Sequence, residues 1–140
     1  MTSPLENLVA AGQIHPQPFD SREYAGLIAS GRARLADAAS AALSLESRFD
    51  LGYNAAHALC LAALRRAGFR SANRYIVFQA IPLTLGLGPE VWRVLALCHQ
   101  RRNDAEYEGY VDVDHRLVED LISAAGEVDR ALARLPLPPL

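Results

Sequence analysis

The chain has 140 residues, about the size of one ordinary domain, and 51% of them are hydrophobic, which excludes a disordered tail. The formal net charge is -2, which excludes a protein that coats nucleic acid through bulk positive charge. All 14 basic residues are arginine, so catalysis by a lysine side chain is also excluded. Two cysteines are too few for a disulfide framework, and no apolar run reaches the roughly 18 to 20 residues that span a bilayer. Because the N-terminus also lacks a signal-peptide pattern, we expect a cytoplasmic protein that does not enter the membrane.

Apolar residues recur at helical spacing along almost the whole chain, and no stretch alternates with the period of two that a half-buried strand requires. The pattern therefore predicts an all-α protein. A short first helix is predicted after Ser3, with Glu6 completing a capping box and Gly12 ending the helix. Two prolines in residues 13–19 predict an extended linker.

Two longer helices are predicted next. Asp20 and Glu23 form the pattern of a capping box, from which a second helix is expected to run to about Leu45. Ser47 is the predicted start of a third helix, which Gly68 ends. This third helix is apolar on nearly all faces, and we therefore expect it to be the central helix of the fold.

The remaining helices are separated by proline and glycine. A short helix is predicted to kink or stop near Ile81 because Pro82 follows, and a long helix is predicted from Pro89 to about Glu108. A last helix, capped by Asp112 or Asp114, is expected to run to about residue 135.

Together the predicted elements form an antiparallel up-and-down bundle of four to five main helices plus a short N-terminal helix. The predicted organisation is a short helix and linker in 1–19, the bundle in 20–135, and a proline-rich tail in 136–140.

One face of the helix at 90–108 changes character along its length. The first three turns carry apolar residues on this face, and the last two carry polar and charged ones. On a helical wheel, the polar and charged residues within about 60° of His99 are Arg102, Asn103 and Glu106. A pocket or an interface would explain this change. So would a helix that simply leaves the core, with Arg102 and Glu106 as a surface pair one turn apart.

Three stretches of the chain carry a resemblance to a known family: RFDLGYNAAH at 48–57, LRRAGFR at 64–70 and RNDAEY at 102–107. They resemble HEPN domains, the helical-bundle proteins of prokaryotic toxin–antitoxin, CRISPR and defence systems, and the likeness covers about residues 20–135. The motif of that family is an arginine, often followed by asparagine, with a histidine four to six positions after the arginine. In active members two domains pair to form one metal-independent ribonuclease site, where the histidine acts in acid-base catalysis and the arginine stabilises the phosphate.

In this chain Arg102 and Asn103 match the motif, whereas Tyr107 stands where the histidine is expected. Tyrosine is a poor general base at neutral pH because its hydroxyl stays protonated. The resemblance therefore implies the fold and an RNA-facing pocket more strongly than it implies cleavage. It implies a homodimer that binds RNA or a partner protein, with impaired catalysis, in a toxin–antitoxin or defence-type system, with a small nucleotidyltransferase as a candidate partner.

An alternative retains catalysis. His99 lies one turn before Arg102 on the same face, so a divergent metal-independent endoribonuclease would use Arg102 with His99 or Tyr107 across a dimer cleft lined by Asn103 and Glu106. A structural role for His99, packed against the bundle and hydrogen-bonded to a neighbour, is the competing interpretation.

The sequence contains two further clusters of charged residues. Four arginines fall within ten residues and would form a phosphate-contacting edge, or would only pair with a helix C-terminus and line a solvated turn. They are Arg65, Arg66, Arg70 and Arg74. Seven acidic residues between positions 104 and 120 would form a solvated face with helix-capping carboxylates, or would in addition repel phosphate from their own end of the bundle.

Metal binding is not predicted. His57 and Cys60 share a helix face, but the side chains of Cys98 and His99 leave their helix about 100° apart and cannot easily bind one ion. Buried cysteine is more common as a small hydrophobic residue. We expect neither a metal nor an organic cofactor.

Overall fold

The computed structural model describes residues 3–136, and most of them are helical. In chain order the elements are α1 (Pro4–Ala10), β1 (His15–Pro16), α2 (Ser21–Ala38), α3 (Leu45–Arg66), β2 (Phe69–Arg70), α4 (Arg74–Gln79), α5 (Ile81–Thr84), α6 (Pro89–Glu108) and α7 (His115–Arg134). The protein is an all-α helical bundle, as the sequence predicts, and it also contains one very small sheet that the sequence did not predict. Of the predicted tail, Pro136 is described and the rest lies outside the described residues. None of the helices within 3–136 combines the length and the apolar character needed to cross a membrane.

The segment that follows α1 differs from the plain extended linker predicted for it. The capping box of α1 is confirmed, since the Ser3 hydroxyl accepts from the Glu6 N–H at 3.1 Å. Beyond α1, however, β1 pairs with β2 in antiparallel register, with His15 opposite Arg70, and Ile14 is completely buried. Residues 11–19, called the strap below, are therefore attached to the bundle. Sequence spacing could not predict this attachment, because both the core and β2 come from distant parts of the chain.

The predicted second helix was too long. Asp20 caps α2 as expected, but α2 ends at Ala38, whose carbonyl oxygen accepts a hydrogen bond of 2.8 Å from the buried Arg48 Nε. The N-cap of α3 is Ser44, which accepts from the Ser47 N–H at 3.1 Å. Ser47 therefore lies in the first turn of α3 and does not start it. The contact from Arg48, which lies ten residues further along, satisfies a carbonyl at the end of α2.

The centre of the bundle is α3, as predicted from its apolar faces. Its buried residues include Phe49, Tyr53, Leu59 and Leu64, each with no exposed surface. The predicted end at Gly68 is confirmed, because this glycine has a φ of +95° just beyond the helix.

The predictions for the next helices are also confirmed. The chain breaks between α4 and α5, where Pro82 lies in the first turn of α5, and Pro89 is the first residue of α6. Gly109, with a φ of +81°, ends α6, and Asp114 caps α7 by accepting from the Leu117 N–H at 2.8 Å.

Contacts between helix ends show that the long helices run in alternating directions. Glu23 at the start of α2 pairs with Arg65 at the end of α3. The start of α3 lies beside the end of α6, where Glu46 accepts from the Val111 N–H at 3.1 Å. The first turns of α6 line a groove with Ser123 and Glu127 from the middle of α7, whereas Arg101 near the end of α6 bonds to Asp112 just before α7. The up-and-down arrangement predicted for the bundle is therefore observed, with α3, α4 and α6 meeting on one side.

Candidate functional site

His99 lies where α3, α4 and α6 meet, and both of its ring nitrogens have hydrogen-bond partners. The Tyr53 hydroxyl, from the buried face of α3, lies 2.9 Å from Nδ1, and the side-chain amide of Asn103 lies 3.2 Å from Nε2. His99 is therefore held against the bundle by neighbours, as the structural interpretation proposed. It is also only partly buried, so it borders the solvent.

Two arginines approach the same tyrosine. The guanidinium carbon of Arg102 on α6 lies 5.1 Å from the centre of the Tyr53 ring, and that of Arg74 on α4 lies 5.5 Å from it. Arg74 Nη1 donates to Asn54 Oδ1 at 3.0 Å. Within residues 3–136, neither guanidinium forms an ion pair with a carboxylate. These two arginines, with the tyrosine, the histidine and two asparagines, form a group called the His99 cluster: Tyr53, Asn54, Arg74, His99, Arg102 and Asn103.

The His99 cluster carries net positive charge at neutral pH. Burial, together with repulsion from Arg102 and Arg74, lowers the pKa of His99 below its ordinary value, so the imidazole is neutral. Burial raises the pKa of Tyr53 against the lowering effect of Arg74 and Arg102, and its hydroxyl stays protonated. The charge of the cluster is therefore that of its two guanidinium groups. A surface with two unneutralised guanidiniums attracts anions, and phosphate matches their geometry.

Two residues of the predicted site do not join this cluster. Tyr107 is 91% exposed and lies outside the contacts made by His99 and Arg102. Glu106 is exposed, and the surface ion pair expected between Arg102 and Glu106 is not formed. The tyrosine at the position of the motif histidine thus projects into solvent in the single chain.

The four arginines considered either as a phosphate-contacting edge or as a helix end with a solvated turn have separate roles. Arg65 is 1% exposed and bonds to Glu23 and to backbone carbonyls of the strap, so it is not accessible to a ligand. Arg70 pairs with the same Glu23, and Arg66 donates to the carbonyl of Pro136 at 2.8 Å. Arg74 alone among the four belongs to the His99 cluster.

Sequence reasoning missed Tyr53 and Asn54 as members of the site. Tyr53 lies on a buried face of α3, and a buried tyrosine hydroxyl needs a hydrogen-bond partner, which was the available signal. The position of Asn54 beside Arg74 depends on how α3 packs on α4, and no spacing in the sequence shows it.

The cysteines serve the core. Cys60 and Cys98 are buried, and burial raises the pKa of both thiols, that of Cys98 to about 12. Among the described residues, no three side chains of histidine, cysteine, aspartate or glutamate lie close enough to hold a metal ion.

Comparisons of the chain with models of protein families, with curated proteins and with solved structures find no match.

A pH dependence of stability follows from His57, which packs edge-on against Phe78 beside the cluster. Burial, with repulsion from Arg74 and Arg102, lowers the pKa of His57 to about 4. Between about pH 6.5 and pH 4 the unfolded chain binds a proton that the native chain does not bind, so stability falls with falling pH. We expect His57→Gln to remove about 2 kcal/mol of this loss, discounted for the partial exposure of the ring. Urea denaturation of both proteins near pH 7 and pH 4.5 measures it, and equal losses in both would contradict the assignment.

Proposed function

We propose that this chain is a HEPN-like helical bundle that binds RNA through the His99 cluster, with impaired catalysis, in a toxin–antitoxin or defence-type system. The observation that carries the RNA-binding part is the pair Arg74 and Arg102, two guanidiniums that have no carboxylate partner among the described residues and that lie near a neutral histidine. The toxin–antitoxin context rests on the sequence resemblance.

The charge distribution favours local binding to phosphate. With a net charge of -2, the chain has no general attraction for RNA, so affinity depends on particular cations. Within residues 3–136 the cations of the His99 cluster pair with no carboxylate, whereas Arg65 and Arg70 share the Glu23 carboxylate. Neutral hydrogen-bonding groups complete the cluster, and asparagine amides commonly bond to phosphate and sugar oxygens.

The proposal includes a homodimer, because the resemblance implies paired domains. It also includes a small nucleotidyltransferase as partner, which the resemblance implies separately. Light scattering at micromolar concentration tests the dimer. A mass of about twice 15.2 kDa is expected, and a monomer would contradict this part of the proposal.

Chemical shifts of the histidine rings test where RNA binds. We expect an unstructured RNA oligonucleotide to shift the ring resonances of His99, which stacks on the Tyr53 ring that both arginines approach, and to leave those of the exposed His115 at the start of α7 unchanged. Shifts at His115 without shifts at His99, or no binding at low salt, would overturn the proposal.

A second candidate function is a metal-independent endoribonuclease, favoured by the neutral His99 imidazole next to Arg102. A neutral imidazole can accept a proton, and a guanidinium can stabilise the phosphate in the transition state. Against it, both ring nitrogens of His99 have partners in the single chain and Tyr107 projects away. We expect RNA incubated with the protein and EDTA to remain intact. Cleavage that both Arg102→Ala and His99→Ala abolish would establish the second candidate instead.

A further inference from the structure

Tyr75 is an exposed aromatic side chain at the edge of the His99 cluster. It follows Arg74 on α4, and its ring centre lies 5.8 Å from that of His99 with a tilt of 48° between the planes. Its side chain is 36% exposed, although the next three residues of α4, 76–78, are buried. Part of the ring therefore packs on His99 and part remains open to solvent.

The position of Tyr75 distinguishes it from the other exposed tyrosines. Tyr107 and Tyr110 are 91% and 59% exposed, but both lie at the end of α6, among the acidic residues there. Tyr75 directly follows Arg74 and packs on His99, which bonds to Tyr53, the ring that both guanidiniums approach. An aromatic face next to cations that hold a phosphate is the arrangement that binds an unpaired base and its backbone together.

We propose that Tyr75 stacks on an unpaired base of the RNA whose phosphate Arg74 and Arg102 hold, so that the cluster selects single-stranded RNA over duplex RNA. This inference rests on the proposed RNA-binding function. In an RNA duplex both faces of an internal base are covered by its neighbours in the stack, so the tyrosine has no base to contact. Duplex RNA then binds through its phosphates alone.

Two variants separate stacking from other roles of the ring. Tyr75→Leu removes the aromatic face and keeps an apolar side chain, whereas Tyr75→Phe keeps the face and removes the hydroxyl. Tyr110→Leu is the matched control, because Tyr110 is also exposed but lies away from the cluster. All three variants are expected to fold, which circular dichroism and thermal unfolding test.

Fluorescence anisotropy with a labelled, unstructured 12-nucleotide RNA, alone and annealed to its complement, tests the inference. We expect the single strand to bind more tightly than the duplex to the natural protein. Tyr75→Leu is expected to lose about tenfold in affinity for the single strand and little for the duplex, as for the loss of one base stack. Tyr75→Phe and Tyr110→Leu are expected to bind as the natural protein does.

Failure of this inference is distinguishable from failure of the proposed function. If Tyr75→Leu binds the single strand normally, or weakens the single strand and the duplex equally, the stacking role is overturned. RNA binding itself stands in that case, provided that replacing Arg74 and Arg102 with glutamine weakens both RNA forms. If neither form binds the natural protein, both proposals are overturned.

Discussion

Replacing Arg65 with methionine is expected to lower the free energy of unfolding by about 3 kcal/mol. Its side chain is 1% exposed and donates to the Glu23 carboxylate and to the carbonyls of Gln17, Pro18 and Phe69. Methionine fills a similar space but leaves these acceptors without their donor, and unsatisfied buried polar groups are costly. The expected loss lies at the low end for a broken buried ion pair because Arg70 continues to neutralise Glu23.

Urea denaturation at neutral pH measures this loss, with Arg93→Met as the control. Arg93 is exposed on α6 and forms no ion pair within the described residues, so its replacement should change the free energy of unfolding by less than about 0.5 kcal/mol. If Arg65→Met costs no more than this control, the strap is not anchored by Arg65 and the role assigned to that residue is wrong.

Replacing Arg74 and Arg102 together with glutamine is expected to weaken RNA binding about a hundredfold at low salt. Each guanidinium can donate charged hydrogen bonds to a phosphate, and bonds of this kind each contribute about 1.5 to 3 kcal/mol. Glutamine keeps a hydrogen-bonding amide but removes the charge. Because Arg74 and Arg102 are only partly buried and pair with no carboxylate in the described part of the chain, the fold should be retained.

The matched control for this double variant is Arg22→Gln with Arg93→Gln, which changes the net charge equally. Both of these arginines are exposed, on α2 and α6, and neither belongs to the His99 cluster. The control should bind RNA within about threefold of the natural protein, because neither arginine contacts the RNA and the attraction between charges falls with distance. An equal loss in both double variants would show that net charge governs binding and that the cluster does not.

Helix ends were predictable where the signal is local. Gly68 and Gly109 end helices because each adopts a positive φ that other residues disfavour, and Pro89 starts α6 where its missing N–H carries no cost. The end of α2 at Ala38 was not predictable, because it involves a hydrogen bond from Arg48 on another helix. The strap was missed for the same reason, since Ile14 is buried by residues far away in sequence.

The candidate site shows the same division. His99, Arg102 and Asn103 come from one helix, so the helical period placed them on a common face. The contributions of Tyr53 and Arg74 depend on how α3 and α4 pack against that helix, and sequence spacing carries no information about it. Arg65 and Arg74 were grouped because they are close in sequence, yet one lies beneath the strap and the other lies on the site.

The salt dependence of RNA affinity tests the role of the His99 cluster most directly. The logarithm of the binding constant for a single strand falls with the logarithm of salt concentration with a slope of about -0.7 for each phosphate neutralised. Replacing Arg74 and Arg102 with glutamine should therefore make the slope shallower by about 1.4, while the control at Arg22 and Arg93 keeps the slope of the natural protein. Identical slopes in all three proteins would contradict the account, because they would show that these two arginines contact no phosphate.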